Sequence, residues 1–143
     1  MNFSYFIMPD LNLILEVYIG EFEFKEIFEC KKLEMQDPDW RDSYDVLGDI
    51  RNGKISLTDH DVENLHKYFK NNPEINTNRK SAILTKVPSQ VVFGTLLQRH
   101  YNIPESLVLP KVFSTVQAAI PWLGIDQKEN ESIEILLEQL SND

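Results

Sequence analysis

The sequence predicts a mixed α/β fold built on a single sheet. Two β-rich runs come first in the chain, and helical and strand-like segments then alternate to its end, with polar turns between them. The run 44–50, Tyr-Asp-Val-Leu-Gly-Asp-Ile, is expected to be the central strand because of its apolar middle. In this class of fold the crossover helices cover the sheet, and ligands bind at the carboxyl ends of the strands.

The first two runs, 3–7 and 13–19, should form an antiparallel hairpin, since the residues between them include Pro, Asp and Asn. In the second run the odd-numbered positions are all apolar. Glu16 and Tyr18 lie among the even-numbered positions, which point to the opposite face. One face of this strand should therefore be strongly buried and the other mixed.

Helices and strands alternate after the hairpin. Apolar residues at helical spacing predict helices over 24–35, 58–71, 88–101, 114–122 and 130–141. Further strands are expected at 80–85 and 107–113, and a turn at 51–54. Pro110 favours an edge position for the last strand, and Pro121 predicts a kink or an early end in the fourth helix. The third helix should direct its apolar residues inward; they are Val91, Val92, Leu96 and Leu97.

Size, charge and cysteine content limit what the chain can be. Its 143 residues, 42% of them hydrophobic, suffice for one domain with a buried core. The net charge of −9 disfavours nucleic acid and anionic membranes as partners. The single cysteine, Cys30, suits a reducing compartment. Because residues 1–9 have the pattern of a strand and no stretch is apolar enough to span a membrane, we expect a soluble, cytoplasmic protein.

Three parts of the sequence resemble the SpoIIAA-like proteins. Residues 37–40, Asp-Pro-Asp-Trp, lead into the strand at 44–49 as an acidic-proline-aromatic turn leads into the central strand of that family. Residues 81–84 and 112–124, which end in Trp-Leu-Gly, resemble its later strand and its closing Ala-rich helix. The resemblance covers about residues 3–125 and implies the STAS fold of sulfate transporters and anti-sigma-factor antagonists, which is akin to Sec14-type lipid-binding domains.

The resemblance implies a STAS-like domain over 1–125, with a mixed sheet of about five strands and about five helices in the whole chain. Residues 126–143 lie outside it and form an amphipathic helix. We expect this helix to pack on the domain, with a homodimer through its apolar stripe as the alternative. The stripe consists of Ile133, Leu136, Leu137 and Leu140.

The chain departs from the signalling members of that family at one motif. Those proteins carry an Asp-Ser-Ser-Gly type motif after the central strand, and its serine is phosphorylated. Residues 54–61 keep hydroxyls at Ser56 and Thr58 but lack Ser-Ser-Gly, and Asp59 and Asp61 would repel an incoming phosphate. We therefore do not expect phosphorylation to switch this chain as it switches those proteins.

STAS-like proteins bind a protein, a nucleotide or an apolar molecule rather than performing chemistry, so the resemblance implies a non-enzymatic binding module. We expect it to hold a small apolar or amphipathic molecule, such as a lipid, between the sheet and the second and third helices. The residues expected to line this site are Trp40, Tyr44, Asp49, Tyr68 and Phe93. The alternative is a protein-interaction adaptor that presents an acidic surface to a basic partner. That surface would consist of Ser56, Thr58, Asp59 and Asp61.

No set of reactive groups stands out in the sequence. Glu63 and His66 have an i,i+3 spacing that could pair them on a metal, but His60 and His66 are six residues apart and do not share a helix face, so no metal or other cofactor is expected. Acidic residues at the start of the second helix are explained by Thr58 and Asp61, which can form a capping box. The neighbouring lysines could lower the pKa of Cys30, but we expect Cys30 to be a buried residue that packs in the core.

Overall fold

The computed structural model describes residues 2–56, 58–101 and 107–142. The strands in these ranges are β1 (Asn2–Met8), β2 (Leu13–Glu23), β3 (Asp45–Asp49), β4 (Gly53–Ser56), β5 (Arg79–Leu84) and β6 (Val108–Phe113). The α-helices are α1 (Phe24–Met35), α2 (Asp59–Asn71), α3 (Pro88–Tyr101), α4 (Val116–Trp122) and α5 (Asn130–Ser141). Within these ranges, no helix has the length and apolar character that crossing a bilayer requires.

The main sheet has the order β1-β2-β3-β5-β6, with β3 at its centre. Strand β1 pairs antiparallel with β2, and the remaining pairs are parallel. The N-terminal hairpin, the central strand and the edge position of the strand that contains Pro110 are thus confirmed. A parallel order of this kind requires the crossover helices that the alternating sequence predicts.

Strand β4 is the element that the sequence prediction missed. The sequence predicts a turn at 51–54, but Gly53 begins a short strand that pairs in parallel with the second half of β2. Strand β2 itself continues beyond Gly20, whose φ of 90° allows the backbone to bend. The turn is confirmed at residues 51–52, but the second half of the predicted segment is strand. A four-residue strand is too short to show a period, and glycine is typical of turns.

The alternation of side chains gives the sheet two unlike faces. Helices α4 and α5 cover one of them, which we call the aliphatic face. Its buried core consists of Leu13, Leu15, Val17, Leu47, Ala82, Leu84, Val116, Ala119, Ile120, Leu123, Ile133 and Leu137. Helices α1 to α3 cover the other, which we call the aromatic face. Its buried core consists of Tyr18, Phe22, Phe24, Phe28, Cys30, Ile50, Ile75, Ile83 and Phe93.

Helix α3 packs on the sheet with a side that differs in part from the predicted one, since Leu97 packs against the aromatic core as predicted. Val91 and Val92 are 43% and 58% exposed, so the prediction that they point inward is wrong. Gln90 and Phe93 are the buried residues of this stretch. The helix lies so close to β6 that a Cβ added at Gly94 would come within 2.3 Å of Val112 Cγ2. This close approach fixes the rotation of α3 and leaves the two valines outside.

The C-terminal part of the chain packs on the aliphatic face. Thr115 caps α4 by accepting a hydrogen bond from the backbone N–H of Ala118 at 3.1 Å, and the helix ends one residue after Pro121, as expected from the proline. In α5, Ile133 and Leu137 are buried against the sheet. The rest of the apolar stripe, Leu136 and Leu140, is half-buried against the same core.

Candidate functional site

A cavity of about 100 Å³ lies between the aromatic face, α1 and α3. Most of its walls are apolar, with Phe28 from α1, Phe93 from α3 and Ile83 from β5 among them. Gly48 of β3 forms part of its floor. A Cβ added there would make only ordinary contacts, at 3.8 Å from Glu16 Oε1 and 3.8 Å from the Ala82 carbonyl oxygen. The missing side chain therefore leaves open space in the middle of the sheet.

A buried carboxylate, Glu16, lies at the centre of this cavity wall. It is 1% exposed because it is on the inward side of β2, next to the position of Gly48. Lys31 Nζ of α1 lies 2.6 Å from its Oε1 and 2.5 Å from its Oε2, and the Tyr18 hydroxyl donates to Oε1 at 3.0 Å. Burial raises the pKa of Glu16, but the Lys31 ammonium and the other donors outweigh it and the net pKa is lowered. Glu16 is therefore ionised and paired.

A second carboxyl group, Glu34, lies beside this pair on α1. It is 0% exposed, and its oxygens accept no hydrogen bond from a donor in the part of the chain that the structure describes. Burial, and then the charge of Glu16, raise the pKa of Glu34 to about 10. Glu34 is thus protonated at neutral pH, beside the ionised Glu16. Although both residues are charged, α1 turns Lys31 and Glu34 toward Glu16 and not toward solvent.

The third charged group of the cavity is Arg79, the first residue of β5. It is 6% exposed, and the Trp40 ring covers its guanidinium at 5.9 Å from Cζ to the ring centroid. Arg79 Nη1 is buried and has no hydrogen-bond partner among residues 2–56, 58–101 and 107–142. Its charge lowers the pKa of both nearby carboxyl groups, but no described carboxylate forms an ion pair with it.

The residues predicted to line a ligand site lie in different places around this cavity. Phe93 lines it directly. Tyr68 packs on Phe28, a wall residue, at 5.2 Å between ring centroids. Trp40 is half-buried and reaches the site by covering Arg79, while its own Nε1 is buried and has no partner in the described parts of the chain.

The other two predicted residues are not part of the cavity wall. Tyr44 is half-buried just before β3. Asp49 follows Leu47 by two residues on β3, so both side chains point to the same side of the sheet, the aliphatic face. Its carboxylate accepts hydrogen bonds from Arg51 Nε at 2.9 Å and Arg51 Nη2 at 2.8 Å, so it holds the turn after β3.

The predicted acidic partner surface is partly used for helix capping. Thr58 Oγ1 accepts from the backbone N–H of Asp61 at 3.1 Å, and the Asp61 carboxylate accepts from the Thr58 backbone N–H at 2.9 Å. The predicted capping box is thus confirmed, and Ser56 and Thr58 remain exposed. The side chains of Asp59, Glu63 and His66 lie outside the described residues. Among the side chains that the structure does describe, no group of three or more His, Cys, Asp and Glu is placed to hold a metal.

Cys30 is buried next to the charged cluster. Burial, and then the charge of Glu16, raise the pKa of its thiol to about 11. The charge of Lys31 does lower this pKa, as the sequence suggested it could, but burial and the charges of Glu16 and Glu26 outweigh it. The thiol stays protonated at neutral pH, in keeping with a packing role.

Sequence reasoning missed the three charged residues that line the cavity, Glu16, Lys31 and Arg79, and Glu34 beside them. One signal was available, since Glu16 is the single charged residue in the otherwise apolar run 13–19. A charge in the middle of a strand that is buried on both faces needs a partner of opposite charge. Nothing in the sequence indicates which of the basic residues that partner is.

No protein-family model and no curated protein matches the sequence. A search of solved structures finds an uncharacterised protein of the DUF3478 family with a SpoIIAA-like fold, from Shewanella loihica. The two chains are 14% identical, the match covers 85% of this chain and 92% of that one, and the TM-score is 0.54. The chain therefore has the SpoIIAA-like fold that the sequence resemblance predicted.

Proposed function

We propose that the protein is a non-enzymatic module that binds a small apolar or amphipathic molecule in the cavity between the aromatic face, α1 and α3. The observation that supports this function is a largely apolar cavity joined to a few buried polar groups, which is the usual composition of ligand sites. The SpoIIAA-like fold is compatible with such a role but does not specify a ligand.

The volume of the cavity limits the size of the ligand. An engineered protein cavity of about 150 Å³ binds benzene, so the cavity of about 100 Å³ has room for about four or five non-hydrogen atoms. A larger ligand would have to extend past the rim between α1 and α3.

The reactive groups near the cavity favour binding over catalysis. The carboxylate of Glu16 is held by Lys31, and the high pKa of Cys30 keeps its thiol protonated. Neither group is poised as a base or a nucleophile.

The test is to fill the cavity without unfolding the protein. Gly48→Ala places a methyl group on the cavity floor, where it makes only ordinary contacts. In an NMR titration with 1-butanol we expect shifts at Ile83 and Phe93, and an affinity about tenfold lower for the Gly48→Ala variant. The matched control is Val92→Ala, an exposed apolar residue of α3, which should leave the affinity unchanged.

Two results would contradict the proposal. One is native mass spectrometry of freshly purified protein that shows no retained molecule, together with no binding of the alcohol. The other is a shift pattern that does not respond to Gly48→Ala.

A protein-interaction adaptor is the second candidate. The exposure of Val91 and Val92 on α3 favours it, because exposed apolar patches are typical of partner surfaces. In that case a partner would bind the wild type and Gly48→Ala equally well, since the substitution is internal.

A further inference from the structure

We propose that the ligand of this cavity is a small organic acid whose carboxylate pairs with Arg79. This inference rests on the proposed function, because it specifies the chemistry of the molecule that the cavity holds. It goes beyond that function by assigning a charged head group and a place for it.

The first argument is the unmet hydrogen-bonding capacity of Arg79. The side chain is nine-tenths buried and lines the cavity, and its Nη1 has no acceptor in the part of the chain that the structure describes. The Trp40 ring lies over the guanidinium, so an acceptor for Nη1 has to approach from another direction, in the guanidinium plane. Carboxylates match that planar arrangement of donors, often with two parallel hydrogen bonds.

The second argument is the balance of buried charge. Glu16 and Lys31 neutralise each other, and Glu34 is held in its neutral form. Arg79 therefore carries one positive charge that no described residue of the cavity balances. An unpaired buried charge costs several kcal/mol, whereas a bound anion would offset it without disturbing the existing pair.

The third argument is the direction in which a ligand would lie. Arg79 and Ile83 are on the same side of β5, at opposite ends of the cavity, with Ser81 between them. A carboxylate at Arg79 would direct an aliphatic tail toward Ile83 and Phe93. An acid with a short linear or branched tail fits both the polar end and the apolar end.

The experiment compares three probes of similar size and different charge by isothermal titration calorimetry: butyrate, 1-butanol and butylamine. Because charge-assisted hydrogen bonds contribute about 1.5–3 kcal/mol, we expect butyrate to bind at least about tenfold more tightly than 1-butanol, and butylamine more weakly than either. In Arg79→Met the affinity for butyrate should fall to that for 1-butanol, while the affinity for 1-butanol stays unchanged.

The matched control is Lys80→Met. Lys80 is the next residue of β5 but points to the other face, where its Nζ donates to the Trp122 carbonyl at 2.8 Å. This variant should keep the preference for butyrate. The comparison of the three probes on the wild type does not depend on whether Arg79→Met folds.

The outcomes separate this inference from the proposed function. If 1-butanol binds as tightly as butyrate, or if Arg79→Met keeps the preference, the carboxylate assignment is wrong and the cavity remains a binding site for apolar molecules. If none of the three probes binds, both the assignment and the proposed function are wrong.

Discussion

The two faces of the sheet are built from the same strands but have different chemistry. Leu15, Leu47 and Ala82 are completely buried on the aliphatic face. The adjacent residues on the aromatic face, Glu16, Gly48 and Ser81, line a cavity with buried charges. A residue and its neighbour along a strand thus meet opposite environments. We infer that the aliphatic face supplies most of the stability and that the aromatic face contributes less, because it contains open space and buried charge.

The largest effect is expected from breaking the aliphatic face. Leu137 of α5 is buried against the sheet, so Leu137→Ala should lower the free energy of unfolding by about 2–5 kcal/mol, which urea denaturation measures. Ile135 of the same helix is 47% exposed, and Ile135→Ala should change stability by less than about 0.5 kcal/mol. Equal effects of the two substitutions would mean that α5 is not docked on a sheet at all.

The aliphatic face is also the part that the sequence predicts well. The odd-numbered apolar residues of the run 13–19 and the stripe of α5 are patterns of one residue type, and such residues are buried wherever an apolar surface is offered. The helix over 130–141 has the predicted bounds. The early end of α4 after Pro121 follows from local chemistry alone.

The aromatic face could be predicted only in part, because its polar residues depend on partners far along the chain. Lys31 pairs with Glu16 from the next helix, and Arg79 meets Trp40 only after two crossovers. Helical periodicity predicts that Glu34 points outward because it is polar. The pattern contains no information about a charged partner on the sheet. Phe93 was predicted at the cavity because aromatic residues are usually buried, whereas Arg79 follows a polar turn and has no local signal.

The buried carboxyl group of Glu34 gives a prediction for the aromatic face that depends on pH. Its pKa rises from 4.5 to about 10 on folding, so the folded state binds the proton more tightly and the free energy of unfolding falls as pH rises between these values. Glu34→Gln needs no proton. It should therefore be more stable than the wild type at about pH 8, by about 1–3 kcal/mol, and this advantage should shrink toward about pH 5.

Urea denaturation at several pH values within this range measures the effect. The other charged groups that face Glu34 are Glu16, Lys31 and Arg79. The pKa of Glu16 is lowered on folding, so its contribution to stability is lost only in more acidic solution and does not overlap with this range. Glu29→Gln, an exposed position of the same helix, should show no such pH dependence. Parallel stability curves for Glu34→Gln and the wild type would show that Glu34 ionises without penalty.

The smallest expected effect tests whether the glycine in the cavity floor lowers the stability of the protein. Gly48 has ordinary backbone angles and space for a methyl group, so Gly48→Ala should raise the free energy of unfolding by about 0.5–1 kcal/mol through the lower entropy of the unfolded chain. Thermal or urea denaturation measures this gain. Gly94→Ala is the matched control, since its methyl group would collide with Val112 and should destabilise the protein by about 1–3 kcal/mol.

If Gly48→Ala were destabilised as well, the floor would be closed and the contrast between the two faces would lie in charge alone. A more stable Gly48→Ala protein that binds its ligand less tightly would instead show that the glycine keeps space for the ligand at the expense of stability.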